Sequence, residues 1–263
     1  MSVPLLTITA SNKNRLKLDE LASQWFIKSI QWQDCKDFEL LIADGGSDNY
    51  EEIKEYFESH DGPIKMSIVK HEIGDVFLRA TLNNVGIRNS RTDYIMTTDV
   101  DMLFARGFVN TLVGLVKPNC LVESRTMYLK QGVMKEIYAG IGGNPYENVE
   151  CLKRGRIKKR TTAGGCQCLH KDSWEKIRGF DESYYGWGSE DYDLYARVSR
   201  QRWKIKWMGE SREAIELFHQ HHHHPNLKEE LKHQSGNKKR LATIGKRELN
   251  PDGWGGVKDE ELK

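Results

Sequence analysis

The chain has 263 residues, and its 40 Lys and Arg nearly balance its 38 Asp and Glu, leaving a formal net charge of +2 at pH 7. This balance offers no broad basic field for nucleic acid, and no run of ~20 apolar residues indicates a membrane span. The five cysteines are scattered and odd in number, so we expect no disulfide framework. Since the N-terminus also lacks a signal-peptide pattern, we expect a soluble protein of the cytoplasm.

The first hundred residues alternate between short apolar runs and stretches of helical periodicity. Apolar, β-branched runs predict strands, and apolar residues three and four apart predict the helices between them. The predicted strands are 3–9, 38–43, 66–70 and 94–98, and the predicted helices are 18–29, 50–58 and 77–87. This alternation predicts an α/β fold with a mostly parallel sheet and helices on both faces.

The second half of the chain is less regular. We predict helices at 107–116, 172–177 and 190–200, and extended segments at 120–128, 166–170 and 203–208. After residue 225 the composition shifts to Lys, Glu, Gly and Asn, with few large apolar residues. We therefore expect the tail, residues 226–263, to be either a loosely packed extension or a cover on the acceptor side of a site.

Polar segments follow the predicted strands, at Ser11, at residues 44–48 and at Asp99-Val100-Asp101. Ligands of α/β sheets usually bind at the carboxyl ends of the strands. Two carboxylates one residue apart can reach one cation, and such oxygen ligands suit Mg²⁺ or Mn²⁺ that is also held by substrate phosphates. Taken alone, an Asp-x-Asp sequence is common, and a polar turn before Phe104 explains it as well.

Four segments, in this order and spacing, resemble the nucleotide-sugar half of GT-A-fold glycosyltransferases of family 2. They are Thr7-Ile8-Thr9 with Asn14-Arg15, residues 42–48 (Ile-Ala-Asp-Gly-Gly-Ser-Asp), Arg79 with Asn84-Val85-Gly86-Ile87, and Tyr94 with Asp99-Val100-Asp101. The resemblance implies a Rossmann-like, nucleotide-binding mixed sheet flanked by helices, in a single domain.

The same resemblance implies a UDP-sugar donor and a residue set that binds it. Asp44 would contact the base or ribose, Asp99 would contact the ribose or complete the metal shell, and Asp101 would bind the metal directly. The donor-binding residues implied in this way are Thr9, Ser11, Arg15, Asp44, Ser47, Arg79, Asn84 and Asp99.

A second block, Gly179-Phe180-Asp181-Glu182 followed by residues 185–191 (Tyr-Gly-Trp-Gly-Ser-Glu-Asp), resembles the acceptor-side motif of β-1,4-galactosyltransferases and chondroitin-polymerase-type enzymes. The resemblance implies that Asp191 is the general base and that Glu190 and Gly188 contact the sugars. It also implies a stacking platform at Trp187 and a donor-sugar loop at Gly165. An alcohol needs such a base because it is a poor nucleophile near neutral pH. The alternative is structural: Ser189 would cap the following helix, and its first turn would favour acidic residues.

A histidine-rich segment occupies residues 219–224. In GT-A enzymes a histidine after the last core strand often completes the metal shell, and imidazole favours Mn²⁺ over Mg²⁺. We expect that ligand to be His219, and His221 is the alternative. A basic run at 153–160 is either a solvated loop or a contact to the diphosphate, an anionic acceptor or acidic lipid at the membrane surface.

These features predict a GT-A domain over residues 1–225, with a donor half at about 1–105 and an acceptor half at about 106–225. The predicted activity is inverting, Mn²⁺- or Mg²⁺-dependent transfer of a hexose or N-acetylhexosamine from a UDP-sugar to an acceptor hydroxyl. A glycan is the expected acceptor, and nucleic acid is not expected as a partner. Two alternatives stay open: a retaining transferase on the same fold, and a non-catalytic module that binds a sugar or nucleotide.

Overall fold

The computed structural model describes residues 3–139, 156–157, 164–186, 188–211, 214–221, 232–245 and 249–258. Its strands are β1 (Leu6–Asn12), β2 (Phe38–Asp44), β3 (Lys65–Lys70), β4 (Tyr94–Asp99), β5 (Met102–Phe104), β6 (Cys120–Ser124), β7 (Thr126–Tyr128), β8 (Arg156–Ile157), β9 (Gln167–His170), β10 (Lys204–Met208), β11 (Leu217–His219), β12 (Gly253–Trp254) and β13 (Val257–Lys258). Its helices are α1 (Leu21–Gln31), α2 (Tyr50–Glu58), α3 (Arg79–Asn89), α4 (Phe108–Leu115), α5 (Gln131–Ala139), α6 (Lys171–Lys176), α7 (Glu190–Arg200) and α8 (Gln234–Leu241).

The centre of the protein is a seven-stranded mixed sheet in the order β10-β6-β9-β4-β1-β2-β3. Strands β3, β2, β1 and β4 are mutually parallel, whereas β9 runs antiparallel to both β4 and β6. Strands β6 and β10 are parallel to each other and so point the same way as β4. The predicted α/β class is confirmed, and the carboxyl ends of six strands lie at one edge of the sheet.

Helix α3 lies very close to β1. A Cβ atom at Gly86 would come within 1.9 Å of Thr9 Oγ1, so any other residue would push the helix off the strand. Because α3 connects β3 to β4, its first turn lies at the edge where these parallel strands end. The contact at Gly86 therefore holds Arg79, the first residue of α3, at that edge.

A smaller four-stranded sheet, in the order β5-β11-β7-β8, covers the same end of the molecule. Strand β11 pairs antiparallel with β5 and parallel with β7, which sets His219 opposite Met102 and Tyr128. Strand β5 begins one residue after Asp101. This small sheet is the reason that two segments over a hundred residues apart in the chain come together.

Several predicted boundaries differ from those of the structure. Strands β1, β2 and β4 continue through Asn12, Asp44 and Asp99, where the polar sequence predicts loops. The predicted extended segment 120–128 is two strands, β6 and β7, that belong to different sheets. Strands β5 and β11 and helix α5 are not predicted at all. Polar side chains at the site edge are therefore part of the sheet rather than of free loops.

Of the two roles expected for the tail, loose packing does not describe residues 249–258. Trp254 is 2% exposed and lies in an apolar cluster with Ala80, Ile87 and Phe180. The guanidinium of Arg88 lies 4.8 Å from the centre of one of its rings. This part of the tail is integral to the fold and covers α3.

The tail also binds the turn that leads into the acceptor-side motif. The amide of Asn250 donates to the carbonyl groups of Arg178 and Phe180 at 2.8 Å each, and its carbonyl accepts from the Glu182 N–H at 3.0 Å. The Gly255 N–H donates to the Glu182 carboxylate at 2.6 Å. Of the two roles considered for the tail, these contacts favour a cover on the acceptor side.

Replacing Trp254 by Ala should lower the free energy of unfolding by about 3 kcal/mol, since it removes a fully packed aromatic side chain. Chemical denaturation measures the change. Lys258→Ala, in the exposed end of the same hairpin, is the control and should leave stability within about 0.5 kcal/mol. A loss below 1 kcal/mol for Trp254→Ala would contradict the placement of the tail in the core.

Candidate active site

Asp44 is fully buried at the end of β2, and the following loop engages both of its carboxylate oxygens. Oδ1 accepts the backbone N–H groups of Gly46 and Ser47 at 2.9 and 2.7 Å. Oδ2 accepts from the Asn12 amide at 2.7 Å and the Ser47 hydroxyl at 2.6 Å. A carboxylate has about four lone-pair positions, so a base or ribose contact would have to displace one of these bonds. In the structure Asp44 and Ser47 hold the loop after β2 in its conformation. Asn12, which was not predicted as a site residue, also binds the Asp44 carboxylate.

Two residues predicted to bind the donor are turned into the interior instead. Thr9 is fully buried in the middle of β1, beneath Gly86. Asn84 is also fully buried. Its amide donates to the Phe180 carbonyl at 2.9 Å and to Glu182 at 2.8 Å, and its carbonyl accepts from the Phe180 N–H at 2.7 Å. In the structure Thr9 packs β1 against α3, and Asn84 ties α3 to the acceptor-side turn.

Arg79 is the centre of the candidate site and is only 4% exposed. Its guanidinium forms two bonds with Asp99, from Nε to Oδ1 at 2.7 Å and from Nη2 to Oδ2 at 3.3 Å. Nη1 donates to Asp191 at 2.7 Å and to Glu190 at 3.0 Å. One cation therefore joins the end of β4 to the start of α7. Four of the residues predicted for donor, acceptor and base roles, Arg79 included, meet here.

The electrostatics of this cluster are dominated by its three carboxylates. Burial lowers the pKa of Arg79, but attraction by Asp191, Asp99 and Glu190 outweighs burial, and the pKa lies well above its usual range. Burial, followed by repulsion from Asp191, raises the pKa of Glu190 to about 7, although Arg79 acts in the opposite direction. Glu190 is thus close to half-protonated near neutral pH. Of the two carboxylates, that of Asp191 is the more exposed to solvent.

Asp191 is oriented by a second donor besides Arg79. The Gln167 amide donates to Oδ1 at 2.8 Å, and the Gln167 carbonyl in turn accepts from the Thr97 hydroxyl at 3.1 Å. The other oxygen, Oδ2, lies over the backbone of Gly164, where a Cβ atom would come within 2.6 Å of it. The φ of +114° at Gly164 also favours glycine. The carboxylate is therefore held at one oxygen while the other points towards the Gly164-Gly165 segment.

Gly165 lies next to this carboxylate, with φ of +87°. Its carbonyl accepts the Thr98 hydroxyl at 2.7 Å, which fixes the segment to the end of β4. A Cβ atom here would come within 3.0 Å of the Met102 side chain. The predicted donor-sugar loop is therefore adjacent to the predicted base, with Gly164 as the nearer of the two glycines.

The structural alternative for Ser189 is not supported by its geometry. Ser189 precedes α7 with φ of +82°, a left-handed conformation that is unusual for a residue with a side chain, and its hydroxyl makes no capping bond. Gly188 has φ of +101° and open space around its Cα. Two consecutive left-handed residues turn the chain sharply into α7 and so place Glu190 and Asp191 beside Arg79. Trp187 lies outside the described residues.

Asp101 lies at a second cluster, formed with residues from β11 and the β1–α1 loop. His219 Nε2 is 3.7 Å from Asp101 Oδ1, and Arg15 Nη1 is 3.5 Å from Oδ2. The imidazole of His219 stacks on Tyr128, with ring centres 5.0 Å apart. The guanidinium of Arg15 lies 5.4 Å from the centre of the Phe77 ring. Carboxylate, imidazole and guanidinium groups thus line one end of the sheet edge.

The neighbouring Gln220 explains which histidine faces Asp101. Gln220 is fully buried, donates to the Ala22 carbonyl at 2.9 Å and accepts from the Tyr138 hydroxyl at 2.9 Å. With that side chain anchored inside, His219 lies against Asp101, whereas His221 is exposed. Residues 222–224 of the histidine segment, and all but the short β8 strand of the basic run 153–160, lie outside the described residues.

Glu123 is a buried carboxylic acid that the sequence analysis did not single out. It is fully buried on β6, opposite Gln167 of β9 and Trp207 of β10. Within the described part of the chain, neither of its oxygens has a hydrogen-bond partner. Burial, and secondly the charge of Asp191, raise its pKa to about 8. The only feature of the sequence that could have indicated a buried acid here is a charged residue directly after the apolar residues that begin β6.

The chain matches known proteins at the segments that build this edge. Residues 23–178 match glycosyl transferase family 2, and residues 149–224 match the domain described as the N-terminal domain of galactosyltransferase. The structure of GalNAc-T7 with UDP, GalNAc and Mn²⁺ superimposes with a TM-score of 0.63 and 12% identity, covering 92% of this chain and 48% of that one. The fold is thus that of the GT-A glycosyltransferases. The chain belongs to glycosyl transferase family 2.

Two curated relatives are also similar to this chain. Human β-1,4-galactosyltransferase 4 is 27% identical over 142 residues, which are 52% of this chain and 34% of the relative. Chondroitin synthase of Escherichia coli is 25% identical over 197 residues, which are 63% of this chain and 28% of the relative. The chain therefore spans about a third of the length of these relatives. Within the described ranges, no helix combines the length and apolar character needed to cross a membrane.

Glu123→Gln should flatten the pH dependence of stability. The pKa of Glu123 is about 8 in the folded protein against an ordinary 4.5, so the folded state holds this proton more tightly than the unfolded state. The free energy of unfolding should therefore fall as pH rises between these values, by up to about 1.4 kcal/mol per pH unit. The variant keeps the shape of the side chain and cannot ionise.

Chemical denaturation at about pH 5, 7 and 9 measures this slope. Glu51→Gln, at an exposed position in the first turn of α2, is the matched control and should follow the wild-type slope. Identical slopes for Glu123→Gln and the wild type would show that Glu123 is already ionised in the folded protein.

Proposed function

We propose that the protein is a metal-dependent, inverting glycosyltransferase that moves a hexose or N-acetylhexosamine from a UDP-sugar to an acceptor hydroxyl, with Asp191 as the general base. The observation that carries this proposal is the fixed orientation of Asp191 between Arg79 and Gln167, with its second oxygen at the Gly164-Gly165 segment. Membership of glycosyl transferase family 2 supplies the reaction class. The similarity to a β-1,4-galactosyltransferase and the UDP bound in the GalNAc-T7 structure support the donor.

In this mechanism Asp191 accepts the proton of the acceptor hydroxyl while the oxygen of that hydroxyl attacks the anomeric carbon of the donor sugar. The carbon–oxygen bond to the departing diphosphate breaks as the new glycosidic bond forms on the opposite face, which inverts the configuration. A positioned base contributes roughly 10²–10⁴-fold to such a step. Because Arg79 and Gln167 both bind Oδ1, Oδ2 is the oxygen that receives the proton.

Glu190 would bind hydroxyl groups of a sugar, and its raised pKa suits that task. A carboxyl with a pKa of about 7 can act as donor or acceptor of hydrogen bonds near neutral pH. Its partial neutrality also limits the repulsion that it exerts on Asp191. Arg79 would hold Asp99, on the donor side, at a fixed distance from Asp191 and Glu190 on the acceptor side.

The residues around Asp101 fit a divalent cation by their chemistry. Within the described residues no group of three or more His, Cys, Asp and Glu side chains is arranged around one point. A nucleotide-bound Mg²⁺ or Mn²⁺ commonly takes only one or two protein ligands besides phosphate oxygens, and imidazole beside carboxylate favours Mn²⁺. Asp101 and His219 would hold this ion. When bound, it would offset the charge that develops on the departing diphosphate.

Asp99 is the weaker candidate for a metal ligand. Both of its oxygens accept from Arg79, so a bond to the ion would compete with an ion pair that is largely buried. We therefore propose Asp99 as the link between Arg79 and the donor ribose. Arg15, which lies 3.5 Å from Asp101, would contact the diphosphate. Ser11, buried beside Asp99 in the paired strands, would support this edge.

Asp191→Asn should lower the transfer rate roughly 10²–10⁴-fold and leave UDP affinity within about twofold, since Asn keeps an oxygen for Arg79 and Gln167. Transfer is measured with a panel of UDP-sugars and glycan acceptors, and UDP binding by calorimetry. Tyr192→Phe, an exposed neighbour on α7, is the control and should keep full activity. NMR of the product should show an anomeric configuration opposite to that of the donor. A retained configuration, or full activity of Asp191→Asn, would remove Asp191 from the role of base.

His219→Ala should weaken Mn²⁺-dependent UDP binding roughly 10- to 100-fold, because it removes one of two proposed protein ligands. Calorimetric titration of UDP with Mn²⁺, with Mg²⁺ and with EDTA measures the effect. His221→Ala is the matched control, two residues away and exposed, and should leave the affinity unchanged. Equal losses in both variants, or binding that EDTA does not reduce, would contradict the assignment.

A further inference from the structure

A cavity of about 410 Å³ opens at the edge of the sheet opposite to the candidate active site. It lies where β6 and β10 begin, whereas Asp99 lies where β4 ends. Since β6 has five residues, the two edges are separated by roughly 17 Å. The side chains that matter here are Lys117, Lys176, Arg202, Lys204, Lys206 and Trp203.

The lining of this cavity, which we call the basic cavity, is strongly cationic. Five of its side chains carry a positive charge, and none of the described residues that line it is acidic. Among the ion pairs between described residues, none involves these five. The whole chain has a formal charge of only +2, so this concentration is local. Like charges held together without counter-charges repel one another unless an anion binds.

The basic side chains come from two neighbouring segments of the sheet. Cys120 lines the basic cavity, and Lys204 is its partner in the β6–β10 ladder. Burial raises the pKa of the Cys120 thiol, and the ammonium groups of Lys206, Lys204 and Lys117 all act against that rise. Two segments, the one before β6 with Lys117 and strand β10 with Lys204 and Lys206, thus bring positive charge to the same cavity.

The backbone that carries these side chains has a defined conformation. Asn119 and Arg202 both have left-handed backbones, with φ of +55° and +57°. The N–H of Lys204 donates to the Asn119 carbonyl at 3.2 Å, which joins the two turns. Trp203 follows Arg202 and lines the cavity, and the Lys176 ammonium is 5.5 Å from one of its ring centres.

We propose that the basic cavity binds a phosphate ester, with the phosphate among the lysines and the attached organic group against Trp203. A phosphate monoester carries a charge of about −1.5 to −2 near neutral pH and presents three strong acceptor oxygens, which suits a cavity lined by five cationic side chains. The volume lies in the range of about 300–1,000 Å³ that is typical of small-molecule sites. A free phosphorylated metabolite and a lipid headgroup share this chemistry. The site is separate from the donor site, and its test does not depend on glycosyl transfer.

The test uses the indole N–H resonance of Trp203, identified by its loss in Trp203→Phe, so that anion binding elsewhere in the protein is not counted. Titration with inorganic phosphate and with pyrophosphate should shift this resonance in a saturable way. Lys204→Glu should lower the affinity at least tenfold. Lys65→Glu is the matched control, because Lys65 is likewise an exposed first residue of an edge strand of the same sheet, and it should stay within about twofold.

A second arm distinguishes the two sources of phosphate. Vesicles of phosphatidylcholine, with and without phosphatidic acid, whose headgroup is a phosphate monoester, are sedimented with the wild type and with both variants. Binding to the anionic vesicles that is lost in Lys204→Glu and kept in Lys65→Glu would assign the site to a lipid headgroup. A shift with free phosphate and no vesicle binding would assign it to a soluble ester. The absence of any Trp203 shift with phosphate, pyrophosphate and vesicles would overturn the proposal.

Discussion

The candidate site depends on a single buried cation. Without Arg79, the carboxylates of Asp99, Glu190 and Asp191 would face one another in a region largely closed to water, and breaking such a buried pairing is strongly destabilising. Arginine suits this position because its planar guanidinium offers donors in several directions at once and does not lose its proton. Here Nε and Nη2 serve one carboxylate and Nη1 serves two others. A lysine has a single charged nitrogen and could not hold the same three groups in the same geometry.

The position of that cation depends in turn on backbone packing. Arg79 begins α3, and α3 can lie where it does because Gly86 gives Thr9 the space that a side chain would occupy. On the acceptor side, the left-handed pair Gly188 and Ser189 turns the chain into α7, so that Glu190 and Asp191 arrive together. Gln167 then selects one orientation of Asp191. Glycines and unusual backbone angles, rather than flexible loops, therefore set the geometry of the charged groups.

The sequence predicted the long, strongly periodic elements best. Helices 50–58 and 190–200 were predicted with the bounds that the structure shows, because their apolar faces and their ends are clear. The ends of β1, β2 and β4 were predicted too early, since Asn12, Asp44 and Asp99 look like loop residues until the parallel ladder that includes them is known. The three-residue strands β5 and β11 were missed because so short a segment has no measurable periodicity. The α/β class and the family were predicted correctly.

Contacts between distant parts of the chain were the harder part of the site. The motifs identified Arg79, Asp99, Glu190 and Asp191 as separate candidates, yet no local pattern indicated that one guanidinium would bind all three carboxylates. Glu123 carried no motif, and its burial follows only from the placement of β6 inside the sheet. The packing of the tail could not be predicted from its polar average composition, because it depends on a few residues, such as Trp254 and Asn250.

The attachment of the tail has a consequence for the order in which the protein can fold during synthesis. Asn84, near the first third of the chain, reaches its final environment only when Phe180 is present, and Glu182 receives its last hydrogen bond from Gly255. Contacts so far apart in sequence form late, since the intervening chain must first be brought together. The ribosome will therefore have synthesised the chain beyond Gly255 before the acceptor-side turn is locked against α3. Until then the apolar surface around Ala80 and Ile87 stays uncovered, which makes the nascent chain a natural client for chaperones that bind exposed apolar segments.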